Sequence, residues 1–177
     1  MNDAIKEKIR TVPNWPKKGI MFRDITTLLK DSSGLKTCID DFHKRYKDAE
    51  VDVVVGIDSR GFILGGALAY LLSKGFVPVR KKGKLPAETE EVTYDLEYGT
   101  DTIEIHKDAI AKGQKVLIID DLLATGGTSL AAAKLVQRLG GEVVELAFIV
   151  DLPDIKGGEK LKAAGLRYYA QVEFEGD

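Results

Sequence analysis

The run Val116-Leu117-Ile118-Ile119-Asp120-Asp121-Leu122-Leu123-Ala124-Thr125-Gly126-Gly127-Thr128 constrains the fold of this 177-residue chain more than any other segment. Four aliphatic residues lead straight into two carboxylates. A loop of small and hydroxyl residues follows, and residues 129–139 then space their apolar side chains as a helix. A short apolar run bounded by turn signals fits a strand covered on both faces, because neither side of its pleat meets water. Acids and glycines at the carboxyl end of such a strand stand where open α/β sheets hold ligands. The loop from Ala124 to Thr128 offers backbone N–H groups and two hydroxyls at a helix N-terminus, which attracts anions. Gly126 and Gly127 let an anion approach backbone that a side chain would cover.

Two acids beside an anion cradle look contradictory, since like charges repel. A sugar phosphate removes the contradiction: its phosphate sits in the loop, and its vicinal hydroxyls donate to Asp120 and Asp121 directly or through metal-bound water. The plainer reading is a strand ending in a solvated acid pair, followed by an ordinary glycine turn. Two acids, a T-G-G-T loop and a helix in one register argue against it.

The rest of the chain alternates strand-like and helix-like segments. Residues 3–11 read as a short amphipathic helix ending before Pro13, and residues 14–19 as a turn-rich connector. Helical spacing covers 35–47 and 62–73. Buried strands are expected at 51–57, 75–80, 116–119, 143–150 and 166–174. This order implies an α/β fold, an open and mainly parallel twisted sheet with helices on both faces. From residue 81 to 107 the pattern changes to a basic stretch and then alternating segments, which suggests a hairpin that leaves the sheet and acts as a lid. A single domain over 1–177 is expected, with 1–34 as an N-terminal hood segment.

Composition narrows the partners. A formal charge of -2 lacks the basic excess of nucleic-acid binders. The lone Cys38 excludes an internal disulfide, and its spacing with Leu35, Ile39 and Phe42 places it in a core. His43 and His106 have no neighbour at metal-ligand spacing, so no protein metal site is expected. No apolar run approaches the roughly 20 residues that span a bilayer, and the charged N-terminus does not resemble a secretory signal. A cytoplasmic location follows as the expectation.

Two further motifs suit anions. Gly56-Ile57-Asp58-Ser59-Arg60-Gly61-Phe62 follows the first buried strand and opens a helix, and the planar fork of Arg60 matches a diphosphate. Alone it would be a plain βα turn with a surface arginine. Arg80-Lys81-Lys82-Gly83-Lys84-Leu85-Pro86 places four cations in five positions. Such runs are usually solvated, but here they open the suspected lid and suit a pyrophosphate leaving group, whose developing charge needs cations.

The thirteen-residue run resembles the phosphoribosyl-diphosphate signature of the type I phosphoribosyltransferases. Gly19-Ile20-Met21-Phe22-Arg23-Asp24-Ile25, Leu96-Glu97-Tyr98-Gly99 and Lys156-Gly157-Gly158-Glu159-Lys160 resemble the adenine-specific branch of that family. The resemblance spans about residues 13 to 162. It implies transfer of a phosphoribosyl group from phosphoribosyl diphosphate to adenine, giving AMP and pyrophosphate. It further implies that Ala124 to Thr128 hold the 5′-phosphate and that Asp120 and Asp121 hold the ribose hydroxyls. Asp58, Ser59, Arg60, Arg80, Lys81 and Lys84 would bind pyrophosphate, although which lysine touches it stays open. Phe22 would stack on adenine while backbone around Met21 and Arg23 reads its edge; plain core packing is the alternative for Phe22. In the related hypoxanthine–guanine branch a carboxylate stands at the position of Ala124 and handles the base proton. Alanine cannot, so the resemblance assigns acid–base work to Glu97, with Arg60 as the other catalytic residue. It also implies a cis Asp58–Ser59 peptide, substrate-bound Mg²⁺ without a dedicated protein cage, and a homodimer. Gly158 and Asp151 depart from the arginine and glutamate common in the family. Transfer to xanthine or hypoxanthine is the alternative activity, and a regulator that senses phosphoribosyl diphosphate is the alternative of a different class.

Overall fold

A computed structural model describes residues 2–96 and 99–176; Glu97, expected as the acid–base group, lies outside the described residues. The elements in chain order are α1 (Asp3–Lys6), β1 (Arg10–Pro13), β2 (Met21–Asp24), α2 (Thr26–Lys30), α3 (Ser32–Tyr46), β3 (Val53–Ile57), α4 (Arg60–Leu72), β4 (Gly75–Lys81), β5 (Thr89–Asp95), β6 (Thr100–His106), β7 (Lys115–Leu123), α5 (Gly127–Arg138), β8 (Glu142–Asp151), α6 (Gly157–Ala163) and β9 (Tyr168–Glu173). Among the described residues a seven-stranded sheet runs β5-β6-β4-β3-β7-β8-β9, and β1 pairs only with β2. Strands β4, β3, β7, β8 and β9 are parallel; β6 is antiparallel to both β4 and β5.

Alternation along the central strands explains why they are apolar throughout. Val54, Leu117, Ile119 and Ala147 face a core built with α1, α2, α3 and α4. Val53, Val55, Val116, Ile118 and Phe148 face the opposite core, beneath α5 and α6. A strand with helices on both faces has no wet side, so successive residues are all hydrophobic. Cys38 lies in the first core, fully buried, with its thiol 3.2 Å from Oε1 of Gln171.

Chain order places the ligand crevice. From β3 the chain crosses through α4 to β4 on one side, and from β7 through α5 to β8 on the other. The two connections diverge between β3 and β7, and the space outside their carboxyl ends is left open. The loops 58–60 and 120–128 both lie there.

Three expectations need correction. The helix read over 3–11 stops at Lys6, and the chain turns into β1, which pairs antiparallel with β2 from Arg10↔Asp24 to Pro13↔Met21. Ile5 and Ile9 are both buried, so their spacing reported burial correctly, but strand pairing decided the conformation after Ile9. The segment 81–107 does not leave the sheet. Arg80↔Glu104 and Lys81↔Ile103 pair β4 with β6, and buried Val92, Ile103 and Ile105 bind the hairpin into the core under α5. The signature strand is longer than four residues, because pairing with β8 carries β7 through the acid pair to Leu123↔Asp151. Helices α2 and α6 had no periodic pattern long enough to announce them.

Candidate active site

At the end of β3 the peptide Asp58–Ser59 is cis, and α4 begins at Arg60. The helix presses against β7 at Gly61, where a Cβ would stand 2.7 Å from the carbonyl oxygen of Ile119 and 3.3 Å from Oδ1 of Asp120. Only glycine permits that approach. It brings Arg60 onto the acid pair, and its Nε donates to Oδ2 of Asp121. The charge on Asp121 raises the Arg60 pKa even though burial opposes it. Burial, then repulsion from Asp121, pushes the Asp120 carboxyl well above the usual carboxylate range, while its Oδ1 accepts the backbone N–H of Asp121 at 2.8 Å. The two acids therefore differ: Asp121 is paired with a cation, and Asp120 faces a neighbouring charge.

Beyond them the signature loop turns at Gly126, whose φ of +73° suits glycine. Its backbone packs on the start of α6, where a Cβ on Gly157 would collide with the carbonyl oxygen of Ala124. The loop thus rests on a second backbone. Thr125 is exposed, and Thr128 turns inward so that its hydroxyl meets the phenol of Tyr94 at 2.9 Å.

A cavity of about 520 Å³ opens between these loops, lined among others by Ser59, Arg60, Lys81, Tyr94, Asp120 and Thr128. Asp58 and Asp121 also line it. Of the basic run, Lys81 reaches this cavity, where its amine lies 3.2 Å from Asp101. Arg80 instead holds Asp58 through Nε at 2.9 Å, and Lys84 contributes backbone, its carbonyl accepting from Arg80 and its N–H donating to Glu104. The expected pyrophosphate set is split accordingly: Asp58, Ser59, Arg60 and Lys81 line the space, while Arg80 and Lys84 support it.

A second cavity of about 310 Å³ adjoins the first, lined by Trp15, Phe22, Arg23, Ile25 and Arg60 together with other residues of the N-terminal strands. Arg60 lines both. The Trp15 and Phe22 rings lie edge to face, with centroids 4.4 Å apart. The Arg23 guanidinium is anchored, with Nη1 donating to Thr11 at 2.6 Å, Nη2 donating to the Glu175 carbonyl at 3.0 Å, and its carbon 4.6 Å from the Phe174 ring. Met21 is not among the residues lining this cavity and is exposed. Sequence reading missed Trp15, Tyr94 and Asp101. A tryptophan flanked by prolines was the one local signal; the other two reach the site only through the hairpin pairing.

An open parallel sheet whose acid pair, anion loop and second helix N-terminus converge at one switch point defines a phosphoribosyltransferase. The phosphoribosyl transferase domain family matches residues 25–164, and the chain belongs to it. Within that family it falls among the adenine phosphoribosyltransferases. It is 62% identical over 175 residues to the adenine phosphoribosyltransferase of Chlorobaculum tepidum, covering 98% of this chain and 99% of the relative. The crystal structure of the Thermoanaerobacter pseudethanolicus adenine phosphoribosyltransferase superposes with a TM-score of 0.93 at 49% identity, covering 97% of this chain and 99% of the other. The Saccharomyces cerevisiae enzyme, complexed with an imino-altritol bisphosphate and adenine, matches with a TM-score of 0.89 at 37% identity, covering 97% and 100%.

Proposed function

We infer that the protein transfers the 5-phosphoribosyl group of phosphoribosyl diphosphate to N9 of adenine, releasing AMP and pyrophosphate in purine salvage. The observation that carries this reading is the meeting of two unlike cavities at Arg60. One is walled by Trp15 and Phe22 and suits a planar base; the other combines acids, hydroxyls and cations and suits a sugar with phosphates.

The roles follow from position. The loop Ala124 to Thr128 takes the 5′-phosphate on its N–H groups and threonine hydroxyls, and Asp120 and Asp121 take the ribose hydroxyls. Ser59, Arg60 and Lys81 receive the diphosphate, so negative charge that builds up as the anomeric bond breaks meets fixed donors. Arg60 donates to Asp121, which leaves the rest of its fork to the ligand and ties leaving-group binding to sugar binding. Phe22 stacks on the base, and Glu97 accepts the N7 proton as N9 attacks. Asp120 and Asp121 offer oxygen donors suited to a hydrated Mg²⁺, an ion that keeps most of its ligands from water and phosphate. When bound, it neutralises diphosphate charge.

The protein is proposed to work as a cytoplasmic homodimer, with 1–34 as hood, while the segment 81–107, held in the sheet, supplies Lys81, Tyr94 and Asp101 to the wall of the site. Ile63, Tyr70 and Leu71 form an exposed apolar stripe on α4, the helix that opens at Arg60. Such a stripe suits burial against a second copy. Among the described residues no helix is long and apolar enough to cross a membrane.

Product formation from phosphoribosyl diphosphate with adenine, hypoxanthine, guanine, xanthine and orotate tests the assignment. Adenine should be preferred over 6-oxopurines by a factor on the order of 10⁴, the discrimination reached by a site that hydrogen-bonds one substrate group and is left unpaired by its analogue. Comparable turnover of hypoxanthine would move the protein to another purine branch. Tight binding of phosphoribosyl diphosphate without any transfer would make it a sensor.

A further inference from the structure

Glu104 has no part in the chemistry above, yet it is 3% exposed in the middle of β6. Its Oε1 accepts two backbone N–H groups, from Lys84 at 2.9 Å and Leu85 at 2.8 Å. Oε2 lies 3.4 Å from the Thr89 hydroxyl. Among the described residues it forms no salt bridge. A buried carboxylate without a paired cation is costly unless hydrogen bonds satisfy it, and here the satisfying groups are the backbone of one loop. Burial acts to raise its pKa, but the N–H groups of Leu85, Gly83 and Lys84 outweigh that and hold it below the usual range, so it is an anion.

The loop it gathers is the basic run. Lys81, two residues before the 83–85 turn, lines the larger cavity. Arg80 reaches the carbonyl of Lys84 with Nη1 at 3.4 Å while its Nε holds Asp58. Lys82 is turned aside to Glu91 at 2.7 Å. Four cations crowded into five positions repel one another, and an anion beneath their backbone offsets that repulsion. The 83–85 turn is therefore wrapped around one carboxylate whose far side is tied to the sheet.

We propose that Glu104 is a positioning residue for the pyrophosphate half of the site: it clamps the backbone of 83–85 so that Lys81 and the Arg80–Asp58 pair are held against the cavity. This rests on reading the basic loop as the pyrophosphate site. A purely structural carboxylate would weaken every ligand alike when removed; a positioning residue weakens one.

The test is calorimetric titration of magnesium pyrophosphate and, separately, AMP into the full chain. Glu104→Ala should weaken pyrophosphate about tenfold, as expected for loss of one hydrogen bond to a charged group, with AMP affinity within about twofold. Glu104→Gln keeps an acceptor for both N–H groups and can donate to Thr89. It should restore pyrophosphate affinity to within about threefold of the parent, the range of one neutral hydrogen bond. If the alanine variant does not fold, Glu104→Asp gives the same reading, since its shorter arm withdraws the acceptor while keeping the charge. Lys81→Met reports on the loop itself. Unchanged pyrophosphate affinity there would overturn the loop assignment and the proposal with it. Weakening in Lys81→Met without weakening in Glu104→Ala or Glu104→Asp would overturn only the role of Glu104. Equal loss of AMP and pyrophosphate, or a glutamine variant as damaged as alanine, would also overturn it.

Discussion

The hydroxyl of Thr128 donates to the phenol oxygen of Tyr94 at 2.9 Å, tying the first turn of α5 to the edge hairpin across the larger cavity. The same hydroxyl is proposed to serve the 5′-phosphate. A hydroxyl has one proton to donate but two lone pairs to accept with, so phosphate binding redirects the Thr128 proton to the ligand while its oxygen accepts from the Tyr94 phenol, which keeps the hydroxyl aimed. The ring of Tyr94 meanwhile stays packed near Gly127, where a Cβ would come within 3.3 Å of it.

Tyr94→Phe keeps that ring and removes the partner of Thr128. The Michaelis constant for phosphoribosyl diphosphate should rise by roughly 2–10-fold, the range of a single neutral hydrogen bond. The constant for adenine should be unchanged, because Tyr94 does not line the smaller cavity. Steady-state kinetics with each substrate varied in turn decides the matter. An equal rise for both would show that the hairpin, not the hydroxyl, had been disturbed.

Replacing Thr125 and Thr128 together by valine removes both hydroxyls at nearly constant volume. Hydrogen bonds to a charged phosphate contribute roughly 1.5–3 kcal/mol each, so the Michaelis constant for phosphoribosyl diphosphate should rise at least tenfold. Thr125 is exposed and Thr128 half-buried, and thermal unfolding should therefore stay close to the parent. If the Michaelis constant holds steady as well, the loop is not the phosphate site.

Asp151 should give stability an unusual pH dependence. It is 2% exposed, its Oδ2 accepts the Tyr168 hydroxyl at 3.0 Å, and its Oδ1 has no partner among the described residues. Gly158 accounts for the arrangement: a Cβ there would collide with the Tyr168 hydroxyl, so glycine lets the phenol reach Asp151. Burial raises the Asp151 pKa, the Tyr168 hydrogen bond opposes this, and Glu173 adds to the rise. A carboxyl with a raised folded-state pKa keeps its proton where the unfolded chain has lost it. Its contribution is thus fully present below about pH 4, the unfolded value, and is lost as pH rises through the folded pKa. Asp151→Asn cannot titrate. Its urea-unfolding stability relative to the parent should increase between pH 4 and pH 8, and parallel curves would refute the assignment.

What could be read from the chain was what lies close together along it. Strand β7, its acid pair and the following loop form one contiguous block, and the unbroken apolar run of a strand covered by helices on both faces made it readable from hydrophobicity alone. Asp58-Ser59-Arg60 was readable for the same reason, being the turn of one strand into one helix. Trp15 and Glu104 were not. Trp15 joins the base cavity because β1 pairs with β2, and nothing within 3–11 distinguishes a strand that will find such a partner from the helix that Ile5 and Ile9 suggest. Glu104 reads as the polar partner of Ile103 and Ile105 in an alternating strand; its burial arises only when the 83–85 backbone folds over it. Nothing in the run Lys156 to Lys160 announces that Gly157 will lie against the Ala124 carbonyl. These are long-range pairings, which local patterning does not encode.

The final prediction separates Glu97 from the acid pair, because the proposed mechanism gives them different work. Asp120 and Asp121 hold the ribose in the ground state and remain beside the positively charged ribosyl group as the anomeric bond breaks. Asp120→Asn and Asp121→Asn should therefore change both kcat and the Michaelis constant for phosphoribosyl diphosphate. Asp121→Asn should do the greater harm, since it also releases Arg60 from its pairing. Glu97 is assigned a proton that moves only in the transition state. Glu97→Gln preserves size and hydrogen bonding but cannot accept that proton, so kcat should fall by about 10²–10⁴-fold, with the Michaelis constants nearly unaltered. Single-turnover measurement of AMP formation checks that the loss is in chemistry and not in product release. A near-parental rate for Glu97→Gln would mean that the N7 proton leaves to water and that Glu97 has no part in the reaction.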